Sequence, residues 1–186
     1  RIEDAEELRE QALECTVIDT RNWEDVRDGH LKGTIWSKAT SDFHRFAGSF
    51  VDEDEEIIFI TTQKNLDRAI RNAIRIGLDR IVGWADPSLL EEMDGLETMP
   101  EITAQELIAR NEKDILDVRR MPEYERGNIP EACNIAHTRL MDRLDDLNSE
   151  KEWVVHCLGG SRSAAACMAL KRRGYNVTNL ASRCSW

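Results

Sequence analysis

Short apolar runs without polar alternation recur along this chain, and they predict its strands. Runs of this kind are typical of strands that are buried on both faces of a parallel sheet. The four runs are Thr16–Thr20, Ile57–Ile60, Ile115–Val118 and Trp153–His156. Two further short strands fit Arg80–Val82 and Asn176–Leu180. The chain is therefore expected to contain parallel sheets built around short central strands.

Helical patterns alternate with these runs. Leu66–Ile76 and Ser163–Arg173 each lead to a glycine, Gly77 or Gly174, that suits the end of a helix. Residues 103–106, Thr-Ala-Gln-Glu, form a capping box that predicts a helix start. Strands that alternate with helices at this spacing predict an α/β fold with a mainly parallel sheet.

The sequence also repeats itself at a distance of about 98 residues. An Asp-x-Arg triplet ends the first apolar run of each half, at Asp19 and Asp117, and a Gly follows each triplet at the same distance. A period of this length is too long for a solenoid and predicts two tandem copies of one domain. We place them at residues 1–98 and 99–186, with the boundary in the acidic, Gly- and Pro-containing segment 92–100.

Composition and charge exclude several classes of protein. The 36 acidic and 25 basic residues leave a net charge of −11 over 186 residues, which disfavours general binding to nucleic acid. A mean hydropathy of −0.52 without a long apolar run predicts no membrane-spanning helix. Five cysteines without a CxxC pair indicate a reducing compartment, and we expect a cytoplasmic protein. The chain begins at Arg1 rather than Met, which we interpret as a fragment or a processed form.

The strongest chemical signal follows the Trp153–His156 run. Cys157 ends this predicted strand, Gly159 and Gly160 follow, and a helix begins near Arg162. Glycines let a backbone turn several N–H groups toward one anion, and a helix N-terminus adds a positive end. Arg162 adds a full positive charge. The arrangement favours a reactive thiolate over the alternative, a small buried cysteine that fills space at a strand end.

The second half contains a set of motifs that is specific when taken together. The motifs are Leu116-Asp117-Val118-Arg119, Glu123-Tyr124, Gly127-Asn128-Ile129-Pro130, Asn134-Ile135 and Cys157 to Ser163. Together they resemble the rhodanese domains, a family of single-cysteine sulfurtransferases. The resemblance extends to the first half and implies two tandem rhodanese-like domains, each a mainly parallel five-stranded sheet flanked by helices. The second half departs from the family pattern at Asn128, at Glu131 and at 181–184.

The resemblance implies roles for Cys157 and for the loop that follows it. Cys157 corresponds to the family's nucleophile. The substrate-binding residues that it implies are Leu158, Gly159, Gly160, Ser161, Arg162 and Ser163. It also implies ping-pong transfer of sulfane sulfur from thiosulfate or a persulfide, through a transient Cys157 persulfide, to a thiol or cyanide acceptor. No metal and no other cofactor is implied.

The first half resembles the inactive copy of tandem rhodaneses. Its loop position, residues 61–67, contains neither cysteine nor glycine. Residues 46–48 and 75–79 resemble more specifically proteins that place a metallo-β-lactamase module before an inactive and an active rhodanese. The resemblance implies that this chain is the carboxyl-terminal part of such an enzyme, without the metal module.

Other interpretations stay open on the residues alone. A cysteine phosphatase or arsenate reductase of similar fold has five residues between Cys and Arg, whereas four separate Cys157 from Arg162. A non-catalytic regulatory module of a larger persulfide-metabolising enzyme is the third possibility. The Asp-x-Arg triplets either steer a donor or form internal ion pairs. We favour ion pairs, because the half that resembles an inactive copy also contains the triplet. His156 is expected to point away from the Cys157 side chain, and Cys184 is a possible resolving cysteine.

Overall fold

The computed structural model of the protein describes residues 1–111 and 113–181. The chain divides into two compact units, residues 1–98 and residues 99–186. Each unit contains a parallel sheet and its own helices, so the predicted α/β architecture with parallel sheets is confirmed. Within the described part of the chain, no helix has the length and apolar character needed to cross a bilayer.

The first unit contains a four-stranded sheet with the order β2-β1-β3-β4, in which all neighbouring strands are parallel. Its elements are α1 (Ala5–Glu14), β1 (Thr16–Asp19), α2 (Trp23–Asp28), β2 (Ile35–Trp36), α3 (Phe43–Phe50), β3 (Ile57–Ile60), α4 (Gln63–Ile74) and β4 (Ile81–Ala85), followed by a 3₁₀ helix at Pro87–Glu92. Every residue of β1 and β3 is buried. This burial on both faces explains why the two strands lack polar alternation.

The prediction of five strands is wrong for this unit. The place of a fifth strand is taken by Ile2, which forms one isolated parallel bridge to Ala85 and donates its N–H to the Trp84 carbonyl at 2.9 Å. Helix α1 begins close behind it, because Asp4 accepts a hydrogen bond from the Glu7 N–H and caps the helix. The chain turns into the helix before a second residue pairs with β4.

The second unit contains a five-stranded parallel sheet with the order β5-β9-β8-β6-β7. Its elements are β5 (Glu101–Ile102), α5 (Ala104–Arg110), β6 (Ile115–Asp117), α6 (Met121–Glu125), β7 (Cys133–Asn134), β8 (Glu152–His156), α7 (Ser161–Arg172) and β9 (Asn176–Leu180), with 3₁₀ helices at His137–Arg139 and Met141–Asp146 between β7 and β8. The capping box predicted at 103–106 is present at the start of α5. Helix α7 is buried along most of its length.

The two sheets share the arrangement of their central strands. In each unit the strand that leads into the Asp-x-Arg triplet lies beside the second apolar run of that half, with Asp19 opposite Ile60 and Asp117 opposite His156. Parallel strands end at the same edge of a sheet, where open α/β folds carry their sites. The fold therefore brings Asp117, His156 and the following Cys157 to one edge.

Both long helices begin earlier than predicted. Helix α4 begins at Gln63 rather than Leu66, and α7 begins at Ser161 rather than Ser163. The residue before each helix already has a capping conformation, extended at Thr62 and left-handed at Gly160. As a result, most of the segment 61–67 is helical and does not form a loop.

Candidate active site

The predicted nucleophile lies in a tight connection between β8 and α7. The sheet ends at His156, the helix begins at Ser161, and Cys157 to Gly160 join them. Gly160 occupies the N-cap position with φ 82°, a left-handed conformation that favours glycine. This turn aims the Gly160 N–H at the Cys157 sulfur, with 3.1 Å between N and Sγ. The sulfur thus faces a backbone donor at the head of a twelve-residue helix.

Ser163 supports this turn from within the helix. The Cys157 thiol lies 3.5 Å from the Ser163 hydroxyl oxygen, and that hydroxyl donates to the Gly160 carbonyl at 3.0 Å. Ser163 is fully buried, whereas Cys157 is half-buried. The predicted substrate-binding residue Ser163 therefore holds the loop and the sulfur in place, on the interior side of the site.

The other loop residues differ in what they do. Leu158 is 67% exposed, and Gly159 and Ser161 are exposed as well. The expectation that both glycines provide unusual backbone angles is corrected, because φ of Gly159 lies outside the left-handed region. A Cβ atom added at Gly159 would meet nothing within 4 Å. The turn depends on the conformational freedom of Gly160 alone.

Arg162 does not present a free charge to the loop. Its guanidinium forms a bidentate ion pair with the Glu123 carboxylate of α6, with N–O distances of 2.7 and 2.9 Å. This pairing lowers the pKa of Glu123 from 4.5 to about 2. Hydrogen bonding to Glu123 in turn raises the pKa of Arg162, and attraction to Cys157 adds to it. The cation is thus close to the sulfur but already neutralised by a carboxylate.

Glu123 is the site residue to which the sequence reasoning gave no role. It belongs to one of the motifs that carried the resemblance, but nothing in its own neighbourhood marks it as the partner of Arg162. The two residues are 39 positions apart. The available signal was the position of Glu123 in the short segment after the Asp117 triplet, a segment that begins at the same sheet edge as Cys157.

The Asp-x-Arg triplet forms the internal ion pair that we favoured. Arg119 contacts the fully buried Asp117 carboxylate, with Nη2 to Oδ2 at 2.6 Å, and donates a second hydrogen bond to the Gly127 carbonyl at 2.8 Å. The corresponding distances in the first unit are 2.7 Å for Arg21 to Asp19 and 2.6 Å for Arg21 to the Gly29 carbonyl. The motif fastens the segment after the strand in both units.

His156 lies at the inner wall of the site. Its Nε2 atom is buried, lies 3.5 Å from the Asp117 carboxylate and has no hydrogen-bond partner among the described residues. Burial lowers the pKa of this imidazole, although the nearby Asp117 opposes the shift. The lowered pKa makes this imidazole a weaker base than a free one, and its burial keeps it from exchanging protons readily with solvent. His156 nevertheless lines the same pocket as Cys157, so the alternation of β8 does not remove it from the site.

A pocket of about 470 Å³ opens beside Cys157. Its walls come from α5, from the turn after Arg119 and from the nucleophile loop, and most of the side chains are apolar. The lining residues are Ala104, Leu107, Ile108, Arg119, Gly127, Asn128, Ile129, Pro130, His156, Cys157 and Leu158. The arrangement gives the sulfur atom access to a small organic molecule.

The remaining described cysteines lack such an environment. Cys167 is fully buried in α7, and burial raises the pKa of its thiol well above the usual range. Burial also raises the pKa of Cys133 and of Cys15. All four described cysteines are free thiols. The proposed resolving cysteine, Cys184, lies outside the described residues.

Comparisons with known proteins place this geometry in a family. Residues 103–182 match the family model described as "Rhodanese-like domain". The putative sulfurtransferase YtwF of Bacillus subtilis (strain 168) is 30% identical over 76 residues, which are 41% of this chain and 74% of YtwF. The putative sulfur carrier protein YrkF of the same organism is 30% identical over 86 residues, which are 44% of this chain but 46% of YrkF, so the match spans less than half of that relative.

Among solved structures, a rhodanese-related protein from Thermoplasma volcanium is 31% identical, with a TM-score of 0.43 over 44% of this chain and 83% of its own. The segment that matches the family model begins at Thr103, the N-cap of α5, and contains Cys157 with the loop that follows it. The family model matches residues 103–182, and the chain covers 74% of YtwF at 30% identity. This chain therefore belongs to the rhodanese-like domain family.

Proposed function

We propose that the second unit is a sulfurtransferase that carries sulfane sulfur as a persulfide on Cys157. The observation that carries this proposal is the position of the Cys157 sulfur, 3.1 Å from the Gly160 N–H at the head of α7. A backbone donor and the positive end of a helix stabilise a thiolate and, after transfer, a persulfide anion. The relatives named as putative sulfurtransferase and as sulfur carrier support the same class of reaction.

The reaction proceeds in two half-reactions. The Cys157 thiolate attacks the outer sulfur of thiosulfate or of a persulfide, and a new S–S bond forms as the donor's S–S bond breaks. The electron pair of the broken bond leaves with sulfite or with a thiolate. A thiol or cyanide acceptor then attacks the terminal sulfur of the persulfide and restores the Cys157 thiolate. Sulfur moves without an external oxidant, and no resident cofactor is required.

The residues around Cys157 position the sulfur and need not transfer protons. Ser163 and Gly160 hold the thiol side of the loop, and the Arg162–Glu123 pair anchors α7 to α6. His156, shielded and neutral, stays a wall of the pocket. In this mechanism the thiolate form of Cys157 attacks the donor directly, so no neighbouring side chain has to act as a general base.

We infer further that the first unit is a rhodanese-like copy without activity, so that the chain is a tandem of an inert and a catalytic domain. The equivalent strand order and the equivalent Asp–Arg–Gly contacts support this interpretation. Thr61 follows β3 at the position where Cys157 follows β8 in the second unit. The metallo-β-lactamase module that the sequence resemblance implies ahead of this chain stays a prediction.

The experiment that tests the function is intact mass spectrometry of the full chain after incubation with thiosulfate. We expect a gain of one sulfur atom that maps to Cys157 and disappears when cyanide is added. The matched control is Cys133→Ser, in the same unit, which should load as the parent does. No gain at Cys157, combined with turnover of p-nitrophenyl phosphate, would overturn the proposal in favour of a phosphatase.

A further inference from the structure

The pocket beside Cys157 is lined by large apolar side chains that are exposed in the described part of the chain. Ile108 of α5 is 72% exposed and Leu158 of the loop is 67% exposed, although both are large aliphatic residues. Both line the 470 Å³ pocket together with Leu107 and Ile129. Large apolar side chains exposed around a cavity mark a surface that binds an apolar group.

The charges at this site are already paired. Arg119 is bound to buried Asp117, and Arg162 is bound to Glu123 through two hydrogen bonds. His156 is held neutral by burial. Both arginines beside Cys157 thus already face a carboxylate, and they compensate the lost hydration of an incoming dianion less than unpaired cations would. The net charge of −11 acts in the same direction.

The size of the pocket exceeds what a transferred sulfur atom needs. Pockets of roughly 300–1,000 Å³ are typical of sites for small organic ligands. At 470 Å³, this cavity can take a substituent of several carbon atoms in addition to the two sulfurs of a donor. The substituent would extend from Cys157 toward α5, because Ala104, Leu107 and Ile108 form that wall.

We propose that the preferred sulfur donor is a small organic persulfide whose uncharged apolar substituent lies in this pocket against Ile108 and Leu158. The inference rests on the proposed function and specifies its substrate class. In the loading step the Cys157 thiolate attacks the outer sulfur of R–S–S–H, giving the Cys157 persulfide and the thiolate R–S⁻. The persulfide proton passes to R–S⁻, so the apolar thiol R–SH leaves the pocket uncharged.

The test is a series of methyl, propyl and pentyl persulfides, in which the reacting S–S bond stays the same and the apolar length changes. Loading of the full chain is followed by intact mass, and the Cys157→Ser variant measured in parallel gives the background at the other cysteines. We expect the second-order rate constant for Cys157 loading to rise about two- to fourfold for each methylene that the pocket buries. In the Ile108→Ser variant the dependence on chain length should fall by at least half.

The matched control is Ala109→Ser, an exposed residue of the same helix that does not line the pocket. It should keep the parent dependence on chain length. Leu158→Ser provides a second variant on the opposite wall and should weaken the dependence as Ile108→Ser does. If all three alkyl persulfides load Cys157 at equal rates, or if thiosulfate alone loads it, the apolar-donor inference is overturned while sulfur transfer stands. If neither thiosulfate nor any persulfide loads Cys157, the proposed function itself fails.

Discussion

The connection between β3 and α4 in the first unit and the connection between β8 and α7 in the second unit follow equivalent strands but differ in length. In the first unit the chain passes from Ile60 through Thr61 and Thr62 directly into α4. In the second unit it passes from His156 through the loop 157–160 into α7. The second connection is longer by two residues. The extra length allows a turn in which the Gly160 N–H faces the Cys157 side chain.

The fate of the first residue after the strand shows what this difference does. Thr61 is 1% exposed, accepts a hydrogen bond from the Thr20 hydroxyl at 2.8 Å and donates its own N–H to the Ala85 carbonyl at 3.0 Å. Cys157 at the corresponding place is half-buried, lines a pocket and accepts the Gly160 N–H. The same position of the fold is thus buried in the first unit and half-buried beside a pocket in the second, where the connection is longer.

The two units share an ion pair that follows the first central strand of each sheet. The Asp–Arg pair and its bond to a glycine carbonyl occur in both with nearly the same distances. Burial raises the pKa of Asp19 in the first unit, although Arg21 opposes this shift. The first unit keeps the whole arrangement although Thr61 stands where the second unit has Cys157, so the arrangement serves to fasten the segment after the strand.

The largest effect is expected when the Cys157 thiol is removed. Cys157→Ser should lower thiosulfate:cyanide transfer at least about 100-fold, because a serine hydroxyl is not ionised there and cannot hold a sulfane sulfur. The circular dichroism spectrum and the melting temperature should stay close to those of the parent, since the change is nearly isosteric. Retention of more than a few per cent of the parent rate would mean that another residue carries the sulfur.

The next largest effect is expected at the turn itself. Gly160→Ala places a Cβ on a residue with φ 82° and should cost about 1–2 kcal/mol of unfolding free energy, with a loss of at least tenfold in sulfur transfer. Gly159→Ala is the matched control, because its Cβ meets nothing within 4 Å. Chemical denaturation and the transfer assay, run on both variants, should separate them. Equal losses in the two variants would show that the turn does not depend on left-handed Gly160.

A third effect concerns the Arg162–Glu123 ion pair beside the loop of the second unit. Glu123 has its pKa lowered from 4.5 to about 2, so its ionised form stabilises the fold fully above pH 4.5 and this contribution is lost as the pH falls toward 2. Glu123→Gln should therefore destabilise the protein by about 1–2 kcal/mol at pH 7, a value that allows for partial exposure of the pair. The difference from the parent should shrink between pH 4.5 and 2.

Thermal unfolding of the full chain at several pH values measures this dependence. Glu125→Gln, an exposed carboxylate of the same short helix, is the control and should change the melting temperature little at any pH. A difference between Glu123→Gln and the parent that stays constant down to pH 2 would contradict the role of the ionised carboxylate.

The smallest effect is expected when a thiol is added to the first unit, after β3, where the chain has no equivalent of the loop 157–160. Thr61→Cys, made together with Cys157→Ser, should show no sulfur that cyanide can remove, because the side chain points into the core and α4 begins two residues later. The measurement is intact mass with thiosulfate, as for the parent. A cyanide-labile sulfur on the substituted position would mean that the first unit is a complete site that merely lacks a nucleophile.

The local parts of this protein could be predicted, and the reason lies in short-range physics. Apolar runs identified the central strands, the capping box at 103–106 identified the start of α5, and a glycine after Cys157 indicated the turn. The limits of this reasoning appear at the ends of elements. Helix α4 includes residues 63–67, which were expected to form a loop. This segment contains no glycine or proline, and Thr62 before it has the extended conformation of an N-cap residue.

The sequence alone determined the α/β alternation, the parallel sheets and the place of Cys157 behind a buried strand, because each depends on residues that are neighbours in the chain. The pairing of Arg162 with Glu123, 39 positions away, and the place of Ile108 in the wall beside the thiol became visible in the folded chain. These contacts arise when separate elements pack at one edge of a sheet. Their partners are selected by distance in space, which no periodicity along the chain encodes.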